Sequence, residues 1–174
     1  MPTIISGDTG VNQITAGAIE KADLPTGSVL QVVSGAYNST YSSNSNSFAD
    51  LISLSITPIS ASNNILIFVN LYAAGYGAPK VLRNSTAIVS PNVNYAIYYA
   101  SPTPSTPYQS GYRFMYPFQV YDSPATTSAI TYKLQIQAHD GGSYIVINPD
   151  TSNNYSTTNP AQSLTRMTIM EISA

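Results

Sequence analysis

Apolar and polar residues alternate with a period of two over several short segments of this chain, a pattern typical of half-buried β-strands. In residues 130–138, one side of the predicted strand carries only Ile130, Tyr132, Leu134, Ile136 and Ala138. Ile52, Leu54 and Ile56 alternate in the same way with hydroxyl residues. These segments predict strands that have one face in a core and the other in water.

Two other segments carry apolar residues on both sides. Residues 65–72 are apolar apart from Asn70 and predict a central strand that is buried on each face. Residues 164–172 also place apolar side chains on both faces. They predict a final strand that lies in the middle of a sheet or at a subunit interface.

Shorter strand patterns and turn residues fill much of the remaining chain. Strands are predicted at 29–33 and 144–148, and a hairpin at 81–89 that turns at Asn84 and Ser85. A further strand is predicted at 112–121. Because Pro117 lacks a backbone N–H, that strand needs an edge position or a bulge.

The number of strands indicates the fold class. Residues 38–47 are mostly Ser and Asn and predict an exposed loop. After residue 28 there are about eight to ten predicted strands and no helical pattern of useful length. The chain is therefore predicted to be all-β, with residues 28–174 forming a jelly-roll β-sandwich or another double-sheet sandwich.

Residues 1–27 differ from the rest, because four glycines interrupt them and apolar residues are sparse. A segment of this kind cannot bury a face of its own. We predict a short extended N-terminal arm that becomes ordered against a partner; the alternative is a terminus without fixed structure. The candidate attachment residues are Ile4, Ile5, Val11, Ile14 and Ile19.

The low charge changes the expected surroundings of the protein. Charged residues make up 8% of the chain and the net charge is −2, against about 25% charged residues in typical domains. A nucleic-acid partner is not expected without a basic surface. Neither a secretory signal nor an apolar stretch of membrane-spanning length is recognisable. With no Cys in the chain, we expect folding in a reducing cytoplasm.

Isolated sheets protect their edge strands with Lys, Pro and inward-pointing charges. Here Lys occurs only at positions 21, 80 and 133. We therefore expect identical subunits or a larger assembly to cover the edges. The alternative is a monomer whose edges are bulged and blunted by some of the 12 Pro residues.

Catalytic chemistry has few candidate groups. His139 is the single histidine and precedes Asp140 and Ser143, but a turn explains this sequence without a catalytic triad. Paired carboxylates would have to come from Asp50, Asp122, Asp140, Asp150 and Glu171, of which Asp122, Asp140 and Asp150 fall in predicted turns. No spaced acidic loop for calcium is present. We predict no enzymatic activity, no metal and no cofactor.

Seven of the tyrosines occur within residues 95–121. Tyrosine has a rigid apolar ring with a polar end, which suits subunit interfaces and glycan contacts. The alternative is that these residues simply favour strands. The candidate contact residues are Tyr95, Tyr98, Tyr99, Tyr108, Tyr112 and Tyr116.

Five segments resemble the short trimeric fibre and virion-surface proteins of tailed phages. In chain order they are 18–33 (AIEKADLPTGSVLQVV), 60–67 (SASNNILI), 81–86 (VLRNST), 121–133 (YDSPATTSAITYK), and 164–165 with 170–172 (LT and MEI). Each segment alone is a weak match, whereas their order and spacing together are more specific.

The resemblance implies a C1q/TNF-like jelly roll that forms homotrimers on a virion after synthesis in the host cytoplasm. Such a trimer decorates or cements the capsid, attached to a capsid or tail protein through the arm at 1–27. Because this arm is short for a fibre shaft, capsid decoration is favoured. The alternative is a short tail-fibre tip, a receptor-binding protein that contacts host surface glycans.

Overall fold

The computed structural model of the 174-residue chain describes residues 24–90, 113–139, 144–149 and 165–174. Within these ranges there are ten β-strands and no helix. The strands are β1 (Val29–Ala36), β2 (Tyr41–Ser43), β3 (Ala49–Ile56), β4 (Asn64–Gly75), β5 (Gly77–Arg83), β6 (Thr86–Val89), β7 (Phe114–Asp122), β8 (Ile130–Ala138), β9 (Ile145–Ile147) and β10 (Arg166–Ile172).

The strands form two antiparallel sheets. Sheet A has the order β1-β10-β4-β7, in which the short strand β9 pairs with the far end of β4 and β2 pairs with β9. Sheet B has the order β3-β8-β5-β6. Two four-stranded rows in this order have jelly-roll topology, which confirms the predicted fold class.

The core lies between the two sheets, where the alternating residues of the central strands meet. On β8, the five residues predicted to share one side are all buried. They pack in one cluster with the inner residues of β4 and β10, which are Ile65, Ile67, Val69, Leu71, Ala73, Met167 and Ile169. The period-two pattern therefore identified the core side of β8 correctly.

The chain passes from sheet A to sheet B within one residue, between the end of β4 and the start of β5. Gly75 makes this possible, because its φ of +91° lies in the region that other residues rarely adopt. A Cβ atom at Gly75 would also overlap the carbonyl oxygen of Tyr144. That carbonyl accepts a hydrogen bond of 2.8 Å from the backbone N–H of Tyr76.

Asn148 connects strands of sheet A at the point along β4 where its pairing partner changes from β10 to β9. This residue is fully buried and has a positive φ of 50°. Its Nδ2 donates to the carbonyl oxygens of Tyr37 (2.6 Å) and Ser39 (3.1 Å), and its Oδ1 accepts from the backbone N–H of Thr165 (3.1 Å). Asn148 thereby satisfies backbone groups that lack ladder partners at this junction.

Three sequence predictions need correction. The predicted loop at 38–47 contains β2, because a backbone ladder to β9 forms whatever the side chains at Tyr41–Ser43. β4 is central in its sheet, as predicted. The prediction that both of its faces are buried is wrong for the single chain, because Phe68 is exposed. Asp122 is not in a turn: it ends β7 and forms an ion pair with Arg83.

Other sequence predictions are confirmed. The hairpin at 81–89 forms as β5 and β6, with Asn84 at a positive φ of 54°. β7 contains Pro117 and pairs only with β4 among the described strands, so it holds the edge position that proline requires. β10 lies in the middle of sheet A, between β1 and β4.

Replacing Asn148 by Gly removes the side-chain hydrogen bonds and keeps a residue that tolerates positive φ. We expect the free energy of unfolding to fall by about 2–3 kcal/mol, because buried carbonyl and N–H groups lose their partners. Guanidinium unfolding followed by circular dichroism measures the loss.

The matched control is Asn84→Gly, since Asn84 also has a positive φ but is exposed. Water can therefore replace the hydrogen bond that its Oδ1 accepts from the backbone N–H of Thr131. A loss below ~1 kcal/mol is expected there. Equal losses in the two variants would contradict the role assigned to Asn148.

Candidate functional site

The outer face of sheet A is apolar. Cross-strand register places one row of side chains across four strands, formed by Val32, Met170, Leu66 and Tyr121. On the same side, neighbouring rows contain Phe68, Tyr72 and Met115. We call these seven residues the apolar face.

Much of the apolar face is open to solvent. The exposed fractions are 54% for Val32, 39% for Phe68, 46% for Met115 and 64% for Tyr121, while the other three residues are half-buried. Single exposed apolar residues are common on proteins, but a connected group on one sheet marks an interaction surface.

The polar positions among these rows are nearly all uncharged. Thr168 lies beside Phe68, and its hydroxyl is 2.9 Å from that of Ser34. Gln119 is opposite Phe68 on β7. Arg166 is the one charged residue that the described strands of sheet A place on this side. The surface therefore offers neutral donors and acceptors around an apolar row.

The outer face of sheet B is different, because it carries paired charges. Lys133 Nζ is 2.7 Å from Asp50 Oδ2, and Gln135 also donates to this carboxylate. Hydrogen bonds from Lys133 and then Gln135 lower the pKa of Asp50. Lys80 Nζ lies 3.7 Å from the ring centroid of Phe48. This is an ordinary solvated surface, whose ion pair contributes little stability.

Buried polar groups fix the end of the sandwich at which β4 begins. Asp122, on the inner side of β7, accepts hydrogen bonds from Arg83 of β5 (2.9 Å) and from the hydroxyl of Tyr132 on β8 (2.6 Å). Burial, followed by the hydrogen bond to Asp122, raises the pKa of Tyr132, so its hydroxyl stays protonated as the donor. Asp122 thereby links sheet A to sheet B.

Glu171 lies across Ile65 from Asp122 in the same sheet and is fully buried. Its carboxylate accepts hydrogen bonds from the Asn63 side chain (2.7 Å), the Gln31 side chain and the backbone N–H of Ile59 (2.7 Å). Burial alone raises the pKa of Glu171, but these hydrogen bonds outweigh burial and lower it below its usual value of 4.5. Glu171 thus holds the β3–β4 turn against β1 and β10.

The segments at 60–67, 81–86 and 121–133 meet at this end, although they are far apart in the chain. Ser123 donates to the side chain of Asn64, and the backbone N–H of Thr131 donates to Asn84 Oδ1 (3.0 Å). Segment 18–33 and the C-terminal residues join them, because Gly27 N–H donates to the carbonyl of Ser173 (2.9 Å). We call this the polar end of the sandwich.

Of the residues predicted to contact a partner, the structure describes Tyr116 alone. It lies on the inner side of β7, is half-buried and packs against the core, with its ring centroid 5.8 Å from that of Phe118. The exposed tyrosine of this strand is Tyr121. The contact role of Tyr116 stays a prediction.

The remaining predicted contact and attachment residues lie outside the described ranges. They are Tyr95, Tyr98, Tyr99, Tyr108, Tyr112, Ile4, Ile5, Val11, Ile14 and Ile19. Asp140, Ser143 and Asp150 also fall outside these ranges, so the triad considered around His139 is not seen as a whole. Within residues 24–90, 113–139, 144–149 and 165–174, no group of three potential metal ligands occurs.

Sequence reasoning did not identify the apolar face as a site. The signal was present, because 65–72 and 164–172 are apolar on both sides and supply four of its seven residues. β7 adds Met115 and Tyr121, and β1 adds Val32. Alternation shows that a strand has two sides. It does not show which side the rest of the chain leaves uncovered.

No helix in the described part of the chain is long and apolar enough to cross a membrane. No protein-family model and no curated protein match this sequence.

Among solved structures, the chain is similar to those of infectious bursal disease virus. The Gt strain structure has 13% identity and a TM-score of 0.45, covering 99% of this chain and 46% of that one. The VP2 subviral particle has 14% identity, a TM-score of 0.41, and coverage of 82% and 40%. The virus-derived T=1 particles have 15% identity, a TM-score of 0.42, and coverage of 83% and 36%. This chain thus spans less than half the length of each viral chain.

Acid should destabilise the protein in part through Glu171. Because its folded-state pKa is below 4.5, Glu171 stabilises the fold above that pH and loses this contribution as pH falls through the lower folded value. Glu171→Gln should be less stable near neutral pH, with a difference from the wild type that shrinks on acidification. Urea midpoints measured at about pH 7, 5, 4 and 3 test this expectation.

Asp50→Asn is the control. The pKa of Asp50 is also lowered, but its ion pair is exposed, so added salt should weaken its effect and leave that of Glu171. A constant stability difference between wild type and Glu171→Gln from pH 7 to pH 3 would contradict the prediction.

Proposed function

We propose that this chain is a structural surface protein of a virus particle: a homotrimer that decorates or cements the capsid of a tailed phage. The proposal rests on the apolar face. The jelly roll of this chain buries a core between its two sheets, yet four large apolar side chains remain exposed on the outer side of sheet A. A subunit of a permanent assembly presents such a face to its neighbours.

The composition of the surface supports assembly. With 8% charged residues, the protein has few of the mixed charges that keep free domains apart in solution. In a particle, neighbouring subunits cover much of the surface, so fewer surface charges are needed to prevent aggregation. A structural role without enzymatic activity is part of the same proposal.

The segments on which the proposed phage relationship rests come together at the polar end. The segments that carry it contact one another through the hydrogen bonds of Asn84, Ser123 and Glu171. Residues that are separate in sequence therefore serve one local structure.

The polar end is also the proposed attachment end. The chain enters the sandwich here, where the Ser173 hydroxyl donates to the carbonyl of Pro25 (2.9 Å). Leu24 and Ile59 are exposed apolar residues in this part of the molecule. In the proposal, residues 1–27 bind the particle and this end faces the shell.

Copy number distinguishes capsid decoration from the alternative role. If the protein cements the capsid, quantitative gel analysis of purified particles should show it in an amount comparable to the shell protein. A few copies per particle would contradict decoration and favour a tail-fibre tip. A glycan array with the soluble protein then tests binding to host glycans.

Attachment through the arm predicts that Ile14→Asp with Ile19→Asp reduces binding to particles that lack the protein. A charge in place of an apolar anchor residue costs binding free energy, and a loss of at least about tenfold in affinity is expected. Cosedimentation measures the binding. Ser53→Asp, on the exposed outer side of β3, should bind as the wild type does. Full binding by the arm variant would exclude attachment through these residues.

A further inference from the structure

We propose that the apolar face is the surface through which this chain contacts a second copy of itself. The inference deepens the proposed homotrimer and rests on it, because it names the face that the assembly covers. It does not depend on whether the trimer belongs to a capsid or to a tail.

The size of the apolar face fits a subunit interface. Aromatic side chains such as Phe68 and Tyr121 bury about 150–250 Å² each, and Val32 and Met115 are of similar size or smaller. Exposed fractions of 39–64% over these four residues, with smaller contributions from the half-buried three, therefore amount to at most roughly 500 Å². The largest apolar patch on a typical monomer covers about 300–600 Å². A standard interface buries about 800 Å² per partner. The apolar face alone is smaller than that, so its polar border and the adjoining edge strand must supply the rest of the interface.

The chemistry of the border favours an identical partner. Ser34, Thr168 and Gln119 each carry groups that both donate and accept hydrogen bonds. They can therefore pair with a different patch of a neighbouring copy, as the heterologous interfaces of a closed trimer require. Arg166 alone adds charge, in a row with the exposed Asn70 that lies between the rows of Phe68 and Tyr72. Two copies therefore meet without the like-charge repulsion that a charged surface would cause.

Other classes of partner fit the surface less well. A nucleic acid needs a basic surface to neutralise its phosphates, and this face has one arginine. A strongly charged protein partner would leave its own charges without counterparts there. The outer face of sheet B, with Lys80, Lys133 and Asp50, is the solvated side and provides an internal comparison.

The face continues to the edge of its sheet. Met115 and Tyr121 belong to β7, which is an edge strand of sheet A among the described strands. A neighbouring copy can thus cover both the face and the edge next to it. Such cover protects an edge that carries no Lys in residues 114–122.

Charge substitution tests the interface. Val32→Glu and Tyr121→Glu replace the two most exposed members of the face, and Ser53→Glu is the control on the exposed outer side of β3. Light scattering on the full chain should give a trimer for the wild type and the control, and a single-chain mass for both face variants. Circular dichroism establishes that each variant is folded.

Cysteine variants provide a second test, which can still be used if the glutamate variants do not fold. Since the chain has no Cys, a bismaleimide cross-linker reacts only at the introduced positions. Val32→Cys together with Tyr121→Cys should give covalent oligomers, and Ser53→Cys should stay a single chain on a denaturing gel. Equal cross-linking of the face variant and the control would overturn the proposal.

Two further outcomes would overturn it. One is a wild-type trimer that keeps its mass in both glutamate variants, which assigns assembly to another surface. The other is a monomeric wild-type chain, which leaves the shell or another protein as the occupant of the face. A monomeric wild-type chain would also refute the homotrimer in the proposed function. The location on a virion is tested separately, by copy number in particles.

Discussion

Burial of one side of each sheet against the other is the interaction on which this structure depends. The inner residues of β4, β8 and β10 form one cluster between the sheets. Apolar contact has no direction and does not by itself set how the sheets align. Alignment comes from buried polar groups: Asp122 joins the sheets to each other, Asn148 joins strands within sheet A, and Glu171 fixes the turn before β4.

Most of the charged residues in the described ranges take part in these internal contacts or in the pair on sheet B. Asp122 and Glu171 lie inside, and Asp50 pairs with Lys133. Sheet A is therefore left with an almost neutral outer surface. Asp122 and Glu171 fix the end of the sandwich through internal hydrogen bonds, so they add no charge to the outer side of sheet A. The same use of charged residues therefore explains both the fixed end of the sandwich and the apolar face.

The sequence predicted the fold well where one side of a strand differs from the other. The alternation on β8 gave its core residues, and Pro117 gave the edge position of β7. The sequence pattern failed to predict strands and buried residues that depend on backbone pairing or on side chains from distant segments. β2 is a strand because β9 lies beside it, and Glu171 is buried because Asn63 and Gln31 come from other segments. The exposed side of β4 depends on which strands cover it, which periodicity does not encode.

The position of β10 has a consequence for biosynthesis. This strand lies between β1 and β4, so sheet A stays divided until residues 166–172 have left the ribosome. Pairing partners so distant in sequence form late and slowly. Until then β1 and β4 each offer an unpaired edge to wrong neighbours. A truncated translation product would consequently lack the continuous surface that spans β1, β10, β4 and β7.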